Sequence, residues 1–177
     1  FGITYLATQI NLNRKVAIKE FFMKDMCCRE EDTNQVYYIS SDRNFVDNFK
    51  NKFIKEAQTI SSLNHRNIIR IHDTFEENGT AYYAMEYIDG CSISDILKQQ
   101  GKLQEDVAIQ YIKEVAEALN YIHSKHINHL DIKPSNIMVR QVDNSVVLID
   151  FGVAKQYDLL TDEGTTSTPV GVSHGYS

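Results

Sequence analysis

The sequence predicts an α+β chain of two lobes, a β-rich N-terminal lobe with one helix over residues 1–87 and a mainly helical C-terminal lobe over 88–177. Three observations predict it. Paired strand-like runs flank polar turns through the first half. One stretch there, 43–63, has helical spacing instead. Past Ile88-Asp89-Gly90, a plausible hinge, two helical patterns precede two short apolar runs.

Taken in order, residues 3–7 and 15–20 alternate or run apolar around the polar turn Gln9 to Arg14, and read as a hairpin. Residues 21–42 are mixed: Cys27-Cys28-Arg29-Glu30-Glu31-Asp32 precedes Val36-Tyr37-Tyr38-Ile39, and an insertion with a small hairpin of its own is expected. In 43–63, Phe45, Phe49, Phe53, Ile60 and Leu63 recur at spacings of three, four and seven, one face of a helix. Glu56 lies in that apolar stripe and needs a partner, because an unpaired buried charge is costly. Residues 68–75 and 80–87 are β-rich and flank Glu76-Glu77-Asn78-Gly79, a hairpin turn. Ser92 to Gln100 reads as a short helix closed by Gly101. Residues 104–124 read as a long amphipathic helix, with Val107, Tyr111, Val115, Ala118 and Ile122 on one face. Asn136–Arg140 and Ser145–Ile149 are short apolar runs around Val142-Asp143-Asn144, and Gln156 to Ser177, rich in Thr, Ser and Gly, reads as a loop.

The chain has 177 residues, 42% hydrophobic and 24% charged, an ordinary globular balance with length enough for a core. A net charge of −6 argues against nucleic-acid backbone binding. Cys27, Cys28 and Cys91, odd in number and irregular in spacing, argue against a disulfide framework and read as reduced thiols of a cytoplasmic protein. No stretch approaches the ~18 apolar residues of a membrane span. The start lacks an initiator Met and a signal peptide, and both ends look cut, so a parent protein with a membrane anchor or further domains is compatible with the sequence.

Three clusters carry chemistry. Val16-Ala17-Ile18-Lys19 ends an apolar strand on a Lys, which alone reads as an edge residue reaching water. His129-Leu130-Asp131-Ile132-Lys133-Pro134-Ser135-Asn136 packs Asp, Lys and Asn at spacings of two and three, which alone reads as a polar turn. Asp150-Phe151-Gly152 follows the apolar run Val146–Ile149, which alone reads as a strand end and turn. Their joint order and spacing is specific where each alone is not.

At every one of these points the sequence resembles the protein-kinase family, whose signature joins a Gly-rich loop, a strand Lys, a helix Glu, a catalytic loop and Asp-Phe-Gly. Phe1-Gly2-Ile3-Thr4 resembles the end of the Gly-rich loop, Leu63-Asn64-His65-Arg66-Asn67-Ile68-Ile69 the link after the regulatory helix, and Ala84-Met85-Glu86-Tyr87-Ile88-Asp89-Gly90 the hinge. The resemblance covers essentially the whole chain and implies a two-lobe kinase fold with ATP and Mg²⁺, or Mn²⁺ in its place, as cofactors. It implies that Lys19 contacts the α and β phosphates and that Glu56 holds Lys19, which answers the need of that carboxylate for a partner. It implies Asp131 as the group that accepts or orients the substrate hydroxyl proton, with Lys133 beside the transferring phosphate. Asn136 and Asp150 are the implied metal ligands. Gly2, Thr4 and Ala17 would cover the nucleotide, Met138 would floor it, Met85 would be the gatekeeper, and backbone groups of Glu86 and Ile88 would bond the adenine edge. Lys133, two residues after the Asp, marks the serine/threonine branch, so a protein Ser/Thr substrate is implied. His129 is expected to support the loop beneath Asp150.

The departures are informative. Leu130 stands where many kinases carry an Arg that binds a phosphate on the activation loop, so phosphorylation at Thr165, Thr166, Ser167 or Thr168 is expected not to be strictly required. Thr4 replaces the commoner Val. The long insertion and the Thr165–Gly171 loop resemble bacterial kinases, and the resemblance implies Ser173 as the residue that bonds the catalytic Asp and Lys. The leading glycines and the later helices of the family are missing, so the C-terminal lobe is incomplete, and this stretch alone is expected to be marginally stable and nearly inactive. The rival reading is a pseudokinase or regulatory ATP-binding module, which would lack one of Lys19, Asp131, Asn136 or Asp150. A small-molecule kinase of the aminoglycoside or choline type would rarely carry the Lys133 spacing, and a P-loop NTPase would need a Gly-x-x-x-x-Gly-Lys-Ser/Thr run that is absent.

Overall fold

The computed structural model describes residues 2–39, 43–152 and 154–156. They fall into two units, one of residues 1–62 and 70–87, the other of 63–69 and 88–177.

In the first unit, strands β1 (Ile3–Gln9), β2 (Arg14–Glu20), β5 (Ile71–Glu77) and β6 (Thr80–Glu86) form an antiparallel sheet in the order β1-β2-β6-β5. Both hairpins turn on residues that tolerate left-handed backbone. Asn13 at φ 44° closes the short 3-10 turn Ile10–Leu12, and Asn78 and Gly79, at φ 50° and 72°, make the Asn-Gly turn between β5 and β6. The expected insertion is a hairpin, β3 (Cys27–Arg29) with β4 (Val36–Tyr38), paired Cys27↔Tyr38 to Arg29↔Val36. It is fastened to the sheet where the Val36 N–H donates to the Asn78 carbonyl at 2.8 Å. The cysteines are free thiols, Cys27 buried and Cys28 and Cys91 exposed.

Helix α1 (Arg43–Ser61) packs on β5 and β6 through Val46, Phe53, Ala57 and Ile60. Phe53 is the centre of this contact, stacked on Tyr83 with ring centroids 4.8 Å apart and tilted against Phe21 at 5.7 Å. The periodicity that placed Phe45 and Phe49 in the buried stripe is corrected in the first turn. Val46 is the core residue there, while Phe45 is 40% exposed and its ring lies against Phe49, centroids 4.8 Å apart. The helix also ends at Ser61, so Leu63 is buried from the following loop rather than from the helix face.

In the second unit, β7 (Gly90–Ser92), β9 (Ile137–Arg140) and β10 (Val146–Leu148) form a sheet in the order β10-β9-β7. Segment 63–69 joins this unit because it extends the sheet at β10. Ile68 bridges Leu148 in parallel, the Leu148 N–H donates to the Asn67 carbonyl at 2.8 Å, and the Ile69 N–H donates to the Leu148 carbonyl at 2.9 Å. The buried Asn67 amide adds bonds to Glu114 (2.9 Å) and the Val146 carbonyl (2.7 Å). Helix α2 (Ile93–Gln100) starts on Ser92, whose Oγ accepts the Asp95 N–H, and stops on Gly101 at φ 77°. Helix α3 (Glu105–His123) turns Tyr111, Ala118 and Ile122 inward, part of the stripe read from the sequence. A two-stranded pair, β8 (Ile127–Asn128) with β11 (Lys155–Gln156), completes the described part. Thr165 to Thr168, Ser173 and the loop from 157 on lie outside the described residues.

Candidate active site

Strand register builds a cluster in the first unit. Directly paired residues share a sheet face, and faces alternate along a strand. Lys19 pairs with Thr4 on β1 and Tyr83 on β6, and Ala17 pairs with Met85. Thr4, Ala17, Lys19, Tyr83 and Met85 therefore lie on one face, while Tyr5, Glu20 and Tyr82 lie on the other. Glu56 reaches this face from α1. The Lys19 ammonium is 3.5 Å from Glu56 Oε1, with the two side chains only 14% and 9% exposed. Tyr83, which the sequence reading passed over, donates its hydroxyl to the same oxygen at 3.2 Å, and its ring centroid is 5.6 Å from the Lys19 ammonium. Its signal was positional, the residue that pairs across the sheet with Lys19. Gly2 has φ 124°, and a Cβ there would stand 2.4 Å from the Glu20 carbonyl oxygen, so only glycine fits. The Glu86 N–H donates to the Arg70 carbonyl at 2.9 Å.

A separate cluster in the second unit is a loop closed on itself. Asp131 Oδ2 is 2.8 Å from the Lys133 ammonium and accepts the Asn136 amide at 2.9 Å. The same amide donates to the Asp131 carbonyl at 3.0 Å. Pro134 opens a 3-10 turn to Asn136, where its fixed φ and missing N–H cost nothing, and the Asn136 N–H returns to the Lys133 carbonyl at 2.9 Å. The Ile149 N–H donates to the Asn136 carbonyl at 3.0 Å, which ties this loop to the residue before Asp150. Two non-glycine residues sit in left-handed backbone here, Leu130 at φ 63° and Asp150 at φ 61°. Leu130 is exposed, and Ile88 and Met138 lie in this unit, Ile88 buried and Met138 on β9 paired with Ser92 and Val147.

His129 is 1% exposed, packs its ring on Phe151 with centroids 4.5 Å apart, and accepts the Asp131 N–H on Nδ1 at 3.3 Å. Burial pushes its imidazole below the usual histidine range, against the opposing pull of the Ile149 backbone and of the Asp150 and Asp131 charges. The ring is therefore a neutral prop. Because its pKa is depressed on folding, acidification protonates the unfolded chain first, so stability falls as pH drops below the unfolded value of 6.5 and keeps falling until the folded value is reached. His72, lowered by burial and by Arg14, acts in the same direction. The melting temperature of the intact protein is expected to fall between about pH 7 and pH 5.5, and to fall less in His129→Phe. An equal fall in the variant would assign the effect to other groups.

Among the described residues no group of three or more His, Cys, Asp or Glu converges as a metal cage. The donor chemistry of Asn136 and Asp150 nonetheless fits Mg²⁺, a hard cation that takes one or two protein oxygens and completes its shell with phosphate and water.

Residues 1–176 match the protein kinase domain family. The chain belongs to that family. Among kinase relatives, it is 31% identical over 173 residues to serine/threonine-protein kinase PknB of Mycobacterium leprae, covering 96% of this chain and 25% of the relative. It is 33% identical over 173 residues to a probable serine/threonine-protein kinase of Clostridium acetobutylicum, covering 98% and 23%. The kinase chain thus spans about a quarter of the length of these curated relatives. Among solved structures, PpkA-294 in its apo form aligns with a TM-score of 0.81 at 29% identity, covering 86% of this chain and 54% of that one. The two-lobe kinase fold and the bacterial resemblance read from the motifs both hold. Among the described residues no helix is long and apolar enough to cross a membrane.

Proposed function

We propose that the protein carrying this chain transfers the γ-phosphate of ATP to serine or threonine hydroxyls of a protein substrate. The observation that carries this reading is the Asp131–Lys133–Asn136 cluster, closed at 2.8–2.9 Å in a chain that also pairs Lys19 with Glu56. Phosphoryl transfer asks a protein mainly for position and charge neutralisation. Lys19 supplies a point charge for the α and β phosphates, and Glu56 and Tyr83 fix its direction. Asp131 orients the acceptor hydroxyl and takes its proton, while Lys133 holds that carboxylate and neutralises charge on the phosphate in flight. Asn136 and Asp150 would hold Mg²⁺ or Mn²⁺, which when bound would neutralise charge on the phosphates. Thr4, Ala17, Met85 and Met138 offer apolar surface to the adenine, and Ile88 and Glu86 offer backbone groups, Glu86 through its carbonyl because its N–H is already donated. The site works where ATP is available, in the cytoplasm.

Incubating the intact protein with labelled ATP, Mg²⁺ and a generic acceptor protein tests this. Label on Ser or Thr is expected on phosphoamino-acid analysis, whereas bound ATP without transfer would favour a regulatory ATP-binding module. Glu56→Gln keeps the shape of the side chain and removes its charge. A hydrogen bond to a charged group is worth about 1.5–3 kcal/mol, so kcat/KM for ATP is expected to drop about 10- to 100-fold. Unchanged steady-state kinetics would separate this ion pair from the chemistry.

A further inference from the structure

The residue after Lys19 is the most enclosed carboxylate among the described residues of the first unit, and the proposed chemistry leaves it unused. Glu20 is 0% exposed, on the sheet face opposite Lys19. A buried carboxylate persists only if it is paired and hydrogen-bonded. Glu20 takes three partners from three different elements. Tyr5 of β1 donates to Oε2 at 2.8 Å, Tyr82 of β6 donates to Oε1 at 2.8 Å, and Arg29 of β3 meets Oε2 at 2.5 Å. Burial raises the Glu20 carboxyl, but the bonds from Arg29, Tyr5 and Tyr82 outweigh it and hold the group below the usual carboxylate range.

Arg29 is equally committed. Its guanidinium also donates to the Asn34 carbonyl at 3.2 Å inside the hairpin turn and lies 5.4 Å from the centre of the Phe22 ring. Further along, burial raises the Tyr38 hydroxyl of β4 above the usual range, with lesser effects from the charges of Lys50 and Asp47 on α1, the helix that carries Glu56. Lys50 in turn bridges Glu76 of β5 at 3.1 Å. The Glu20–Arg29 bond therefore fixes the inserted hairpin one residue from Lys19, on the strand that carries it.

We propose that Glu20 and Arg29 are positioning residues for Lys19: their buried ion pair clamps the inserted hairpin onto β2 and so sets the strand that aims the Lys19 ammonium. The proposal rests on the reading of Lys19 as the phosphate-binding lysine. Glu20 itself cannot meet the nucleotide, because alternation places it on the far face. Its effect must pass through Lys19.

The test uses the intact protein in four forms, wild type, Glu20→Gln, Arg29→Met and Arg29→Lys, each also made in a Lys19→Met background. Titration calorimetry reads Mg·ATP affinity below the melting temperature of every form. Glu20→Gln and Arg29→Met are expected to weaken Mg·ATP about tenfold, the share of one charge-assisted contact, with Arg29→Lys retaining much of the affinity. In the Lys19→Met background the same changes are expected to leave affinity unaltered, because the group they position is gone. Affinity unchanged by Arg29→Met, or an equal loss with and without Lys19, overturns the proposal and leaves the pair a purely structural tie. If Glu20→Gln does not fold, the part-exposed Arg29 pair of variants decides the matter alone. Wild-type protein that binds Mg·ATP but transfers no phosphate refutes the proposed activity, while these binding ratios still judge the clamp.

Discussion

Asp131→Asn is expected to lower kcat by about 10²–10⁴-fold, the range a positioned acid–base group contributes, while Mg·ATP affinity is unchanged. The substitution is nearly isosteric and removes only the charge and one acceptor oxygen. In the wild type that oxygen, Oδ2, holds both the Lys133 ammonium and the Asn136 amide. An amide facing Asn136 turns one of these bonds into a donor–donor clash or forces a flip, so the variant loses both proton acceptance and orientation. Its folding cost is small, because the Asp131 and Lys133 side chains are 20% and 23% exposed and water reaches both. Single-turnover transfer with ATP bound isolates this step from binding and release. A rate within a few-fold of wild type would leave Asp131 a loop-closing residue, with Lys133 and Asn136 to be re-examined as the groups that orient the hydroxyl.

The legibility of this site in the sequence follows from how local each interaction is. Lys133 and Asn136 lie two and five residues from Asp131, so one turn could assemble them, and the turn residue Pro134 was visible. Glu56 was legible because a carboxylate in an apolar helical stripe demands a cation. The stripe itself misled at its start, since Val46 and Phe45 both suit a buried position and only the neighbouring strands decide that Val46 takes it. Tyr83 was illegible because its role depends on sheet register, which pairs it with Lys19 across 64 positions of sequence. Glu20 was illegible because its arginine comes from a hairpin nine residues away, whose place on the sheet no local pattern announces. Segment 63–69 follows its helix in sequence, but its backbone bonds run to β10, a partner about 80 residues downstream that no local pattern announces. The backbone of Leu130 was equally hidden, because leucine carries no preference for the left-handed region it occupies.

Gly90→Ala is expected to destabilise the second unit by about 3 kcal/mol, the upper end of the overpacking range. The sequence offered Gly90 as part of a hinge, where flexibility would be its purpose. Its surroundings give a different reason. A Cβ at Gly90 would stand 1.8 Å from the Val139 carbonyl oxygen, 2.9 Å from that carbonyl carbon and 3.3 Å from the Arg140 Cα. All three are backbone atoms of β9, so no side chain can swing aside, and relief requires β7 to move off its partner strand. That movement would break the pairings Gly90↔Arg140, Cys91↔Val139 and Ser92↔Met138. It would also carry away Ser92, the N-cap of α2, and disturb Met138 on the proposed adenine floor. Gly101→Ala is the control, since nothing lies within 4 Å of its Cβ position and only its φ of 77° opposes a side chain, a cost of about 1–2 kcal/mol. Urea unfolding of the intact protein, with Mg·ATP affinity measured on the folded fraction, separates the two causes. Gly90→Ala should lose more stability than Gly101→Ala and also bind nucleotide more weakly, because its strain is relieved only by displacing β7. Equal losses with unaltered nucleotide affinity would mean that β7 yields freely, and Gly90 would then be a residue of conformational freedom after all.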